Sequence, residues 1–146
     1  MQNAPMPVTI DIEYTGDLHC VATHGPSGSQ FTTDAPVDNG GKGEVFSPTD
    51  LVATGLGACL TTVMGLCANR TGLDITGTKV RVVKEMSADV PRRIAALTAV
   101  VTFPRDYAPA DRQRLERTAH TCPVRQSLHP DVKVEIAFEY LGKAEA

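Results

Sequence analysis

The stretch Ser47-Pro48-Thr49-Asp50-Leu51-Val52-Ala53-Thr54-Gly55-Leu56-Gly57-Ala58-Cys59, continued to Asn69, decides how the rest of the 146-residue chain is arranged. Ser47 is a good helix N-cap. Pro48 suits the first helical position, where a missing N–H costs nothing, and Asp50 stands where its carboxylate can bond back to the cap and favour the dipole. The sequence predicts a helix from here to about Asn69, stopped by Gly72. No residue from Leu51 to Asn69 is charged. A helix apolar all round is buried on all sides, and one small chain can scarcely wrap it, so the sheet of a partner subunit is expected to help. A transmembrane reading is set aside. Gly55, Gly57 and Gly65 stand in the run with Thr54, Thr61 and Thr62, and no second span or basic flank accompanies it.

Upstream, Val8, Ile10, Ile12 and Tyr14 alternate with polar residues, the period of a half-buried strand. Strands over Leu18–Thr23 and Gln30–Thr33, separated by Gly25-Pro26-Ser27-Gly28, complete a β-meander. The glycine-rich passage Asp34–Glu44 reads as a mobile loop. Downstream come strands at Lys79–Met86 and Ile94–Phe103, then a polar helix over Pro109–Thr121 with Leu115 and Ala119 inward and Arg112, Glu116 and Arg117 outward. Pro123 opens a short helix reaching Leu128, and Val132–Tyr140 alternates cleanly as a final strand. This order argues for an α+β fold, with antiparallel sheet packed on helices, as a single domain over residues 1–146.

Fourteen Lys and Arg against seventeen Asp and Glu give a net charge of −3. A surface for nucleic acid or anionic membrane would need a clustered basic excess. Met1 to Thr9 holds neither a basic residue nor a long apolar run, so no secretory signal is read there and the expected compartment is the cytoplasm. The four cysteines, Cys20, Cys59, Cys67 and Cys122, are then expected as thiols.

Cys59 lies mid-helix among small residues, where it either fills core volume or meets a packed neighbour. Cys122, as N-cap of the short helix, faces free N–H groups and a positive dipole end that favour thiolate, although many Cys-Pro pairs only mark a helix boundary. Cys67, more than two turns beyond Cys59, cannot be bridged to it and reads as core. Cys20 with His19 and His24, even joined by His120 or His129, lacks any CxxC or HExxH support, so no metal is expected. Nucleotide and serine-hydrolase motifs are missing too.

Ser47-Pro48-Thr49-Asp50-Leu51, Gly57-Ala58-Cys59 and, 63 positions beyond Cys59, Cys122-Pro123-Val124 together resemble the OsmC/Ohr family of osmotically inducible and organic hydroperoxide resistance proteins. The resemblance implies an intertwined homodimer in which antiparallel sheets wrap two long central helices. It implies a thiol-dependent peroxidase that reduces organic hydroperoxides without metal or other cofactor. Cys59 would be the peroxidatic thiol, Cys122 the resolving one, and a thiol or dithiol the reductant.

Two positions depart from the family pattern. Family peroxidases hold the reactive thiolate with an arginine from the N-terminal strands and a glutamate directly after the helix-start proline. Here no arginine precedes Arg70, and Thr49 follows Pro48. Lys42, His24, Arg92 and Arg93 are the substitutes the sequence offers, and the departures place the chain nearest the broader OsmC-like branch. The alternative function is a weakly redox-active or non-catalytic protein of the same dimeric shell, which binds a small apolar ligand at the subunit interface.

Overall fold

Ser47 caps the long helix reciprocally: its Oγ accepts the Asp50 N–H at 3.1 Å, while Asp50 Oδ2 accepts the Ser47 N–H at 2.9 Å. The computed structural model describes residues 4–142. Among these, helix α1 spans Pro48–Thr71, slightly past the expected Asn69, and ends at Gly72, whose φ of 73° is the left-handed cap a glycine adopts without strain.

The chain divides into two units, with the boundary at Leu51 and Val52. In the first, β1 (Ile10–Gly16), β2 (His19–His24) and β3 (Gln30–Thr33) form an antiparallel sheet in sequence order, the expected meander. The expectation that β1 is half-buried fails. Val8, Ile10, Ile12 and Tyr14 are 53–63% exposed, because nothing among the described residues covers this edge strand's apolar side.

The loop expected to be mobile is tied to one residue. Asp34 is 1% exposed, and its Oδ2 accepts the N–H groups of Lys42 at 3.3 Å and Glu44 at 3.1 Å. Burial opposes charge on Asp34, but these N–H groups and the nearby His19 outweigh it and hold the carboxyl below its usual range. A single 3₁₀ turn occupies Val37–Asn39. Gly41 passes so close to Ala35 that a Cβ would lie 1.8 Å from its carbonyl oxygen, so no other residue fits there.

In the second unit, β4 (Lys79–Met86), β5 (Ile94–Phe103) and β6 (Lys133–Tyr140) form one sheet in that order. β4 pairs antiparallel with β5, but β6 runs parallel to β5. The sheet is therefore mixed. The reason is the intervening α2 (Pro109–Ala119) and α3 (Pro123–Ser127), which make the crossover that parallel neighbours need.

Leu56, Leu60 and Met64 of α1 are fully buried with Leu97, Val101 and Phe103 of β5 and Leu115 and Ala119 of α2. Each large apolar side chain so placed contributes about 1.5–3 kcal/mol. β6 alternates as expected, with Val134, Ile136, Phe138 and Tyr140 toward this core. Arg112 and Glu116, expected to point outward, instead engage Tyr140. The Arg112 guanidinium lies 4.7 Å from its ring centre, and the Tyr140 hydroxyl donates to Glu116 Oε1 at 2.8 Å.

α1 is not buried all round. Thr54, Ala58, Thr62 and Leu66 are exposed, Leu66 by 51%. The helix is long and apolar enough to cross a membrane by length and composition, as a core helix also is.

Candidate active site

Cys59 sits on α1 between the buried ridge of Leu56 and Leu60 and the exposed side, and is itself partly exposed. Its depth is set two residues earlier. Gly57 lies against β4 so closely that a Cβ would stand 3.1 Å from Val82 Cγ2 and 3.5 Å from Val80 Cγ1. A side chain here would crowd the Val82 methyl, so glycine lets the helix settle this near the strand without a shift of β4.

Cys122 is placed from the other side of the core. Its N–H donates to the Ala119 carbonyl at 3.2 Å as α2 ends, and its carbonyl accepts the Gln126 N–H at 3.1 Å as α3 begins. It is the N-cap of α3, as Pro123 at the first helical position predicts, and its side chain is fully buried.

The two thiols, 63 residues apart in sequence, come within hydrogen-bonding reach of one another. Neither is in a disulfide, and Cys20 and Cys67 are free as well, Cys67 buried in the core as expected. The thiolate expected at the α3 N-cap is not favoured. Burial pushes the Cys122 thiol up and the Cys59 partner pushes it further, against the weaker pull of the Arg125 and Val124 N–H groups. The pull of those N–H groups at the helix start is too weak to offset burial and the Cys59 partner.

The geometry can support thiol-to-disulfide chemistry. One sulfur is reachable and one sealed, and the two interact directly. Of the substitutes considered for the family arginine, three are engaged locally. Lys42 Nζ pairs with Asp17 Oδ2 at 3.2 Å, His24 Nδ1 meets Ser27 Oγ at 2.6 Å, and Arg93 forks onto Asp89 at 2.6 and 3.3 Å. Arg92 is exposed in the β4–β5 turn. The small residues that precede Cys59 in sequence are expected to let a neighbour approach closely, and at Gly57 that neighbour is β4.

The family model for OsmC-like proteins matches residues 41–137, a span that holds both cysteines. The chain belongs to the OsmC-like family. Among solved structures, this OsmC-like chain is 41% identical to a candidate osmotic stress induced and detoxification response protein from Psychrobacter arcticus. The match covers 94% of this chain and 99% of that one, with a TM-score of 0.85. An organic hydroperoxide resistance protein OsmC from Legionella pneumophila shares 13% identity over 94% and 99% of the two chains, TM-score 0.75. The organic hydroperoxide resistance protein OhrB of Bacillus subtilis shares 19% over 92% and 98%, TM-score 0.67. These last two share the fold with the OsmC-like chain. No curated protein matches it.

Proposed function

We propose that this OsmC-like protein is a cytoplasmic, homodimeric thiol peroxidase that reduces organic hydroperoxides, a role in oxidative or osmotic stress defence. The observation that carries the proposal is the approach of a partly exposed Cys59 to a sealed Cys122. In the cycle, the Cys59 thiolate attacks the terminal peroxide oxygen. The O–O bond breaks, the alkoxide leaves as an alcohol after protonation, and Cys59 becomes a sulfenic acid. The Cys122 sulfur then attacks the Cys59 sulfur, a disulfide forms and water leaves. An external thiol or dithiol supplies the two electrons that restore both thiols.

Dimerisation is supported by surfaces a lone chain leaves apolar: the Val8, Ile10, Ile12 and Tyr14 row and, on α1, Leu66. The cytoplasmic assignment is supported by four unpaired cysteines. A second reading, binding of a small apolar ligand with little turnover, is favoured by a cleft of about 360 Å³ lined by Val63, Leu66, Cys67, Arg70 and Arg114.

The deciding experiment adds equimolar cumene hydroperoxide to the reduced protein, follows peroxide loss and maps new disulfides by mass spectrometry. Rapid loss with a Cys59–Cys122 bond supports the peroxidase. Intact thiols with no loss sink it and leave ligand binding as the reading to pursue.

A further inference from the structure

Three side chains from separated points of the first unit converge: His19 at the head of β2, Asp34 just past β3, and Glu44 in the following loop. His19 Nε2 lies 3.5 Å from Asp34 Oδ2 and 3.5 Å from Glu44 Oε2, and one donor atom from each residue falls within 4.8 Å of the others. The register explains the first pairing. Cys20 is opposite Thr33 across the antiparallel β2–β3 pair, so the next residues outward, His19 and Asp34, adjoin.

The proton inventory limits what this cluster can hold. His19 Nδ1 is 2.7 Å from the Asp17 carbonyl oxygen. A carbonyl only accepts, so Nδ1 carries a proton and the neutral ring turns the Nε2 lone pair toward two carboxylates. Asp34 Oδ2 already accepts the Lys42 and Glu44 N–H groups at 3.3 and 3.1 Å, but the electron pairs that still face His19 Nε2 from the two carboxylates repel its own unless a positive charge lies among them. A proton on Nε2 is one such charge, but charge-assisted N–H···O contacts draw in to about 2.7–2.9 Å. Both oxygens stand off at 3.5 Å.

The two separations from His19 fit a metal ion better. Zinc bonds of about 2.0–2.2 Å to imidazole nitrogen and carboxylate oxygen set neighbouring corners of a tetrahedron about 3.4 Å apart. A neutral imidazole and two carboxylates also balance a divalent charge. The carbonyl on Nδ1 is the outer partner that usually orients a ligating histidine. Asp34 adds an independent sign. It is 1% exposed, and its Oδ1 is buried with no hydrogen-bond partner, an acceptor left unused. Lys42 is the nearby competitor for the acidic groups. Its Nζ is 4.0 Å from Glu44 Oε1 but closer, at 3.2 Å, to Asp17, which draws it away.

We propose that His19, Asp34 and Glu44 form a binding site for one divalent transition cation of the zinc type, which clasps the loop around Glu44 to the β1–β2 hairpin. The test is isothermal titration of ZnCl₂ into the full chain carrying Cys59→Ser and Cys122→Ser, which removes the paired thiols as rival ligands, with MgCl₂ as control. One zinc per chain is expected and no magnesium. His19→Ala and Glu44→Gln are each expected to weaken zinc binding by about tenfold or more, with near-UV dichroism confirming the fold. If His19→Ala does not fold, the exposed Glu44→Gln decides. Absence of zinc uptake, or uptake that either folded variant leaves unchanged, overturns the site.

Discussion

Cys122 is sealed in the core, while Cys59, the thiol it faces within hydrogen-bonding reach, keeps part of its surface open. In the proposed cycle this asymmetry assigns the order of events, since a hydroperoxide can reach only the Cys59 sulfur. Cys59→Ser is expected to lower peroxide consumption by roughly three orders of magnitude or more. Cys122→Ser is expected to spare the first oxidation but leave a sulfenic acid that dimedone labels at Cys59. Dimedone labelling at any other cysteine would contradict the assignment.

The raised Cys122 thiol predicts a pH dependence for disulfide closure. Burial and the Cys59 partner keep Cys122 protonated, so only a small thiolate fraction is available at neutral pH. Below the raised pKa that fraction grows about tenfold per pH unit, and stopped-flow measurement of sulfenic acid loss should rise accordingly between about pH 7 and 9. A pH-independent closure rate would show that Cys122 is not the attacking group. Stability follows the same sign: a thiol raised in the folded state stabilises the reduced protein below the unfolded-state value, and the gain is lost as pH rises through the folded one.

Gly57→Ala tests how α1 is seated. The added methyl would meet Val82 Cγ2 at 3.1 Å and Val80 Cγ1 at 3.5 Å, a crowding expected to cost about 1–3 kcal/mol in urea unfolding. Val82→Ala in the same chain should recover part of that loss. Additive losses would mean the two residues do not share the contact.

Ser47→Ala removes the oxygen that accepts the Asp50 N–H. The expected loss is about 1 kcal/mol, read from thermal or denaturant melts. Asp50→Ala should cost a similar amount, because it removes the reciprocal bond to the Ser47 N–H.

The uncovered apolar row on β1 predicts self-association. Sedimentation is expected to show dimers for the natural chain, and Ile12→Glu, at a side chain 63% exposed, should shift it toward monomer. An unchanged mass would place the contact elsewhere.

The elements were legible where local chemistry dictates them. The Ser47-Pro48-Thr49-Asp50 cap, the period of two in β6 and Pro123 after Cys122 each act through neighbours in sequence, and each element lies where those residues predict. What depends on distant packing was not legible. The turn of β6 parallel to β5 comes from the crossover through α2 and α3. The engagement of Arg112 and Glu116 with Tyr140 joins α2 to β6. Both cysteines were readable as candidates, yet no spacing rule reports that α1 and the α2–α3 corner bring them face to face. His19 was noticed for its histidine and cysteine neighbours, whereas its carboxylate neighbours arrive from β3 and the following loop.

The complete burial of Cys122 also sets how electrons can return. Once a Cys59–Cys122 bond exists in the proposed cycle, an incoming thiol can attack only the Cys59 sulfur, which makes Cys122 the departing group. A poorly ionising thiol departs slowly. The core packing that hides Cys122 therefore acts as a brake on recycling, so that the oxidised protein accumulates whenever peroxide arrives faster than reductant, and the level of that form records recent exposure.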